Sequence, residues 1–310
     1  MSIMAYQTSL KSKVRFTGKG LHCGRIVHMD VCPAKANTGI IFHRTDDVRA
    51  EPVAAHAFNI SSTSLSTTIG HGVSSVSTIE HIMAALAGLG ISNAIIKLNA
   101  PEVPIMDGSS GPFVKEFLSC GIEKLGAPQK VYKVKKSFEI KQGDQYIRVE
   151  PSQRPQIQCK INFPYEVIGE QTIDYKPSAD NFARISQART FCHIKDVNYM
   201  KENGLALGGS LENAIVISDD GLLNSEGLRS NLEFVEHKLL DLVGDMALLG
   251  APILGKISVS KPGHSLHAAF TRALLENESD LLEEVHYAEV SSKPKDFPKE
   301  FVVPVFASLG

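Results

Sequence analysis

Across the first fifty residues, apolar positions come in short runs and alternate with polar ones, at residues 13–17, 26–32 and 39–43. A period of two predicts strands, and the turn-forming stretches Gly18-Lys-Gly20 and Ala36-Asn-Thr-Gly39 separate them. The period changes after Ser77. Ile79, Met83, Leu86 and Ala87 recur at helical spacing, Ser77 or Thr78 can cap the start, and Gly88 and Gly90 end the run. A strand over 94–98 and a turn-rich stretch over 99–110 follow, then a helix over 112–118 with Pro112 in its first turn. The pattern breaks at Gly126-Ala-Pro and resumes as strands over 131–134, 138–141, 146–150 and 157–161. Helices are predicted over 180–187, 196–203 and 232–249, and a strand over 256–260 leads to a last helix over 264–275.

This mixed order predicts an α+β fold of stacked layers rather than regular βαβ repetition. One internal match stands out. Ile79-Glu-His-Ile-Met-Ala-Ala-Leu-Ala-Gly88 aligns without gaps to Val235-Glu-His-Lys-Leu-Leu-Asp-Leu-Val-Gly244, with Glu, His, Leu and Gly identical at an offset of 156 residues. One copy falls on a helix of each half, which predicts a duplicated unit. A length of 310 residues suits two domains, 1–126 and 127–310.

Composition mainly excludes. Lys plus Arg number 32 and Asp plus Glu 34, so the net charge of -2 offers no footprint for nucleic acid. The five cysteines, Cys23, Cys32, Cys120, Cys159 and Cys192, include no Cys-x-x-Cys pair, which argues against a disulfide framework or an all-thiolate zinc site. No apolar run reaches signal-peptide or membrane-spanning length, and the expectation is a cytoplasmic protein, monomeric by default. Lys130, Lys133, Lys135 and Lys136 read as protection for an edge strand. Gly18-x-Gly20 resembles a fragment of a dinucleotide fingerprint, but no long helix or well-placed acid follows, and that reading is rejected.

Candidate chemistry concentrates on the repeated helices. His237 and Asp241 lie four apart on the long helix, about 40° apart around its axis, and can offer an imidazole nitrogen and a carboxylate oxygen to one ion. Zinc accepts both ligand types, and a catalytic site needs a third; His81, the repeat partner of His237, is the natural candidate. A solvated helix face is the plain alternative. Each histidine follows a glutamate, Glu80 or Glu236, and either could serve as general base beside a metal. His264, at a Pro-Gly turn feeding the last helix, could act as an acid oriented by Asp245. Two rival functions remain open: a metal hydrolase acting on an amide or ester, and a non-catalytic binding protein that needs no metal.

Several blocks in one order carry a resemblance. Thr78-Ile-Glu-His-Ile-Met-Ala-Ala-Leu-Ala-Gly-Leu-Gly90 and Asn99-Ala-Pro-Glu-Val-Pro-Ile-Met-Asp-Gly-Ser109 are similar to the UDP-3-O-acyl-N-acetylglucosamine deacetylases of lipid A synthesis. So are Gly20-Leu-His-Cys-Gly24, Ala188-Arg-Thr-Phe191, Gly204-Leu-Ala-Leu-Gly-Gly-Ser210, His237-Lys-Leu-Leu-Asp241 and Pro262-Gly-His264. The blocks run from Gly20 to His264, and the resemblance covers the chain from about residue 8 to 275.

The resemblance implies two similar βααβ-layered domains, each with a small insertion, whose helices face each other across the active site. It implies hydrolysis of UDP-3-O-acyl-N-acetylglucosamine to acetate and UDP-3-O-acyl-glucosamine. The implied cofactor is Zn2+ on His81, His237 and Asp241, with Fe2+ also suited to this donor set. The resemblance makes Glu80 the base. It makes His264 the proton donor or electrostatic stabiliser, Asp245 its orienter and Thr190 a donor to the developing oxyanion. His22, Phe191, Asp196 and Lys238 match positions that contact substrate, and an insertion over 192–220 builds a hydrophobic passage. Val197, Ala206, Ser210, Ala214 and Val216 are apolar or small, as an acyl chain requires, although a small βαβ core would look the same. A nucleotide-sugar lipid substrate implies transient contact with a membrane surface. Met106-Asp107-Gly108 matches as a turn-shaping element.

Overall fold

The computed structural model describes residues 4–287. The alternating segments of the first third form a five-stranded sheet, in the order Val14–Lys19, Ile26–Pro33, Ala94–Leu98, Ile40–Arg44, Val53–Ala54. Val27, Met29 and Val31 point inward while Ile26 and His28 face out, the two-residue period expected of a sheet covered on one side. Helix α1 spans Glu80–Leu89 and helix α2 spans Gly111–Cys120. Phe113 and Phe117 of α2 meet Phe16 of the sheet edge-on, with centroids 5.0 and 5.8 Å away.

The start of α1 departs from expectation. Neither Ser77 nor Thr78 caps it with a side chain. Thr78 sits in the left-handed region at φ 57° and its hydroxyl donates to Glu102, while the N–H of Ile79 donates to the carbonyl of Thr67. A contact distant in sequence thus replaces the local cap. Gly90, at φ 72°, ends the helix as expected. Gly88 stays inside it, where the Phe182 ring fills the space a Cβ would need.

The second sheet has seven strands around Ile253–Ser260. That strand runs antiparallel to Gln145–Pro151 and parallel to Gln156–Asn162 and Lys130–Val134. Lys130–Val134 is flanked on its other side by Leu282–His286, so the basic run does not guard an edge. Its lysines pair across the sheet instead: Lys130 with Glu284 and Lys133 with Glu283, each at 3.1 Å. The break at Gly126-Ala-Pro lies inside a strand, Ile122–Pro128, that pairs with Tyr6–Leu10. This pair forms its own two-stranded sheet, where Pro128 takes an edge position that needs no N–H.

Helices α3 (Ala179–Ile185) and α4 (Ile194–Glu202) precede the long α5 (Glu233–Met246), and α6 spans His264–Glu276. Both α5 and α6 pack on strands of the second sheet, and α1 packs against α5. Gly244 of α5 lies so close to the Glu80 backbone that a Cβ there would collide with its carbonyl. Around the expected insertion over 192–220, strand Phe191–His193 passes through α4 to the parallel strand Ile215–Ser218, and Gly221–Leu222 completes a three-stranded sheet. Among the described residues, no helix is long and apolar enough to cross a membrane.

Candidate metal centre and active site

Three donors converge where α1 crosses α5. Nε2 of His81 and Nε2 of His237 stand 3.6 and 3.4 Å from Oδ1 of Asp241, and all three side chains are buried. Oδ1 has no hydrogen-bond partner among the described residues. Donors at about 2.0–2.1 Å around a tetrahedral zinc lie roughly 3.3 Å apart, so this spacing fits an ion between them. The protonation states suit it too. The Ala188 carbonyl lies 3.1 Å from His237 Nδ1 and places the proton there, leaving Nε2 free to ligate. Burial pushes the His237 imidazole down to about 3, so it stays neutral. Burial works against ionising Asp241, but His237 and Lys238 beside it hold the carboxyl well below its ordinary value. Lys238 donates from Nζ to the outer oxygen, Oδ2, at 3.0 Å.

Beside these donors lies an acid–base group. Glu80 is buried at the start of α1, and its Oε1 is 3.9 Å from His264 Nε2. The other face of that imidazole is held by Asp245, with Nδ1 2.8 Å from Oδ2. Burial alone would lower His264, yet Asp245 and then Glu80 outweigh it and raise the imidazole to about 9. Burial opposes a charge on Asp245 as well, but His264 and His267 hold its carboxyl at about 2. For Glu80 burial wins, and its carboxyl is pushed up despite His264 and His81. A carboxyl that burial pushes up therefore faces an imidazole held above its ordinary value, an arrangement able to divide base and acid roles between two side chains. Glu236, the other glutamate of the repeat, pairs with Arg184 at 3.2 Å instead.

A cavity of about 820 Å³ lies near His237. Thr190 and Phe191 line it, and the Phe191 ring lies 6.1 Å from the His237 ring. The βαβ unit forms much of the cavity wall, with Val197, Ala206, Ser210, Ala214 and Val216 all lining it. His22 and Asp196 line it as well. Lys238 stands apart from the lining residues, its Nζ 5.5 Å above the Phe191 ring.

Residues 7–276 match the family described as LpxC, UDP-3-O-acyl N-acetylglycosamine deacetylase. The chain belongs to this family. It is similar to the protein named UDP-3-O-acyl-N-acetylglucosamine deacetylase of Citrifermentans bemidjiense, with 45% identity over 273 residues covering 88% of this chain and 90% of that one. The protein of the same name from Pseudomonas entomophila is 41% identical over 296 residues, covering 94% and 97% of the two chains. That from Acidithiobacillus ferrooxidans is 43% identical over 290 residues, covering 92% and 95%.

Around the converging donors the fold also holds buried polar contacts, several between residues that sequence patterning does not single out. Glu102 is buried and accepts from the backbone N–H groups of His22 and Cys23, both at 2.8 Å, and so fixes the His22 loop at the cavity rim. Arg189 and Glu233 form a buried pair at 2.9 Å that anchors the strand entry between Ala188 and Thr190. Glu233 also takes the N–H of Arg189 and of Arg229. Asp107 accepts from Ser109 and pairs with Arg229 at 2.9 Å, while Gly108 accepts the N–H of Thr190 at 2.8 Å. The Met106-Asp107-Gly108 turn thus shapes the ground under Thr190. Thr67 and His267 both reach Asp245.

Proposed function

We propose that this protein hydrolyses the acetamide of UDP-3-O-acyl-N-acetylglucosamine, releasing acetate and UDP-3-O-acyl-glucosamine, in lipid A biosynthesis. The observation that carries the reading is the meeting of three ligand-spaced donors with the Glu80–His264 pair, with an apolar cavity nearby whose lining residue Phe191 lies 6.1 Å from the His237 ring. The donor set fits zinc, and iron(II) suits it as well. Held by His81, His237 and Asp241, such a cation would make water acidic near neutral pH and polarise a bound carbonyl.

The chain's own residues supply the rest. Glu80 accepts the proton of the attacking water at Oε1, the oxygen that faces His264. Thr190 donates its hydroxyl to the carbonyl oxygen as negative charge develops there. His264, protonated and fixed by Asp245, stabilises that charge and donates to the departing amine. His22, Phe191, Asp196 and Lys238 hold the nucleotide-sugar end. Val197, Ala206, Ser210, Ala214 and Val216 surround the acyl chain, whose transfer from lipid implies brief contact with a membrane surface.

The same reading takes the chain as two βααβ domains, 1–126 and 127–310, that arose by duplication. The packing of α1 on α5, and the placement of the repeated Glu-His pairs on those two helices, supports it. It also makes the protein a cytoplasmic monomer. The deciding experiment measures acetate release from 3-O-acylated and non-acylated UDP-N-acetylglucosamine, with metal content read on the same sample. Strong preference for the acylated compound supports the reading. Equal turnover of both sinks the acyl passage, and no acetate from either sinks the activity.

A further inference from the structure

Thr67 touches both carboxylates of the acid–base group from a segment outside the two helices that carry them. It lies just before Thr68–Ile69, a short strand paired with Ile60–Ser62, and is buried to 1% exposure. Its backbone N–H donates to Oε2 of Glu80 at 3.0 Å, and its hydroxyl donates to Oδ1 of Asp245 at 2.6 Å. Its carbonyl accepts the N–H of Ile79 at 3.3 Å, so all three polar groups of one residue are spent on the site and on the helix start beneath it. These bonds have a chemical consequence. With Oε2 of Glu80 occupied by an N–H, Oε1 is the oxygen left facing His264 and free to take a proton. With Oδ1 of Asp245 occupied by the hydroxyl, Oδ2 is left to His264 and His267, each 2.8 Å away.

We propose that Thr67 is a positioning residue for the deacetylation: its N–H selects the basic oxygen of Glu80, and its hydroxyl sets how strongly Asp245 acts on His264. The inference rests on the roles given to Glu80 and His264 above. The groups facing His264 are Asp245 and Asp241 from α5, Glu80 from α1 and His267 on its own helix. The Thr67 hydroxyl is a further polar neighbour, 3.2 Å from His264 Nδ1. That hydroxyl shares the negative charge of Asp245. Removing it returns the charge to His264 and strengthens the imidazolium.

The test compares Thr67→Val, which keeps the backbone N–H and the side-chain shape but loses the hydroxyl, with Thr67→Ser, which restores it. Two readouts are taken: steady-state kinetics on the acylated substrate, and the titration of His264 by NMR in the metal-free protein. Thr67→Val is expected to lower kcat about tenfold with KM within about twofold, as loss of one charge-assisted hydrogen bond implies. It is also expected to move the His264 titration to higher pH, and Thr67→Ser is expected to recover both. A purely structural role would lower the melting temperature without moving the titration upward. An unmoved His264 titration in a folded Thr67→Val protein overturns the inference, as does unchanged kcat. If the wild type releases no acetate while the titration still moves, the activity is overturned and the Thr67–Asp245–His264 coupling stands.

Discussion

The bare Cα of Gly244 on α5 rests against the backbone carbonyl of Glu80 on α1, close enough to leave no room for a Cβ. The two helices that carry the metal donors are thereby set at the separation that lets His81 reach Asp241. Gly244→Ala is expected to force them apart. Overpacking of this kind costs about 1–3 kcal/mol, and a shift of a few tenths of an ångström at Glu80 and His81 weakens both catalysis and metal retention. Thermal unfolding and metal content of the variant check this; a variant with unchanged melting and full metal occupancy would show that the helices tolerate the added methyl.

His264 titrates near 9, above its ordinary 6.5, because Asp245 and Glu80 outweigh burial. A histidine raised on folding contributes stability in full below about pH 6.5, and that contribution is lost as pH rises through about 9. Asp245→Asn removes the larger of the two supports. The alkaline limb of the kcat profile is then expected to move down from near 9 toward 6.5 or below, and kcat near neutral pH to fall about ten- to a hundredfold. Such a shift is opposite in sign to that expected from Thr67→Val. A profile that keeps its alkaline limb in Asp245→Asn would remove His264 from the proton-donor role.

The converging donors give a prediction that can be read from metal content as well as from turnover. His81→Ala with His237→Ala leaves Asp241 as the sole member of the trio, and bound metal is expected to fall from about one equivalent to near none. Chelation of the unaltered protein should abolish acetate release, and resupplied zinc should restore it. Elemental analysis of the double variant decides: full occupancy would place the ion elsewhere, for which Asp245, His264 and His267 are the other converging trio among the described residues.

The converging donors are legible in the sequence because their geometry is local. His237 and Asp241 share one turn of one helix, and the repeated Glu-His pair pointed to His81 without any contact being known. Helices α1, α5 and α6 were legible for the same reason, through periodic apolar positions. What escaped notice depends on pairing across the chain. Thr67 bonds to Asp245 at a sequence separation of 178, Glu102 to His22 at 80 and Arg189 to Glu233 at 44. One threonine of several in a Ser/Thr-rich loop, or one glutamate in a turn, carries no sign of its partner. The basic run at Lys130 misled for a related reason: which strand lies beside Lys130–Val134 is set by the late return of Leu282–His286, and composition alone is blind to that. From spacing alone Glu80 and Glu236 are equivalent, and only the family resemblance separates them; in the fold they differ in what α6 and α3 bring to them, His264 beside Glu80 and Arg184 beside Glu236.

The cavity gives the last prediction. Ala214 is nearly buried, at 7% exposure, and its methyl lines the space enclosed by the βαβ unit. Ala214→Phe places a ring where several methylenes of a long acyl chain would lie. Each buried methylene is worth about 0.8 kcal/mol, so displacing two or three raises KM for the long-chain substrate by about ten- to fiftyfold. A substrate with a short 3-O-acyl group reaches the same metal donors without entering that region, and its kcat and KM should stay within about twofold of the unaltered protein. The comparison within one variant separates a blocked passage from a damaged site, because damage at Thr190 or His237 would slow both substrates alike. Equal losses for the two chain lengths would assign the cavity to another part of the substrate.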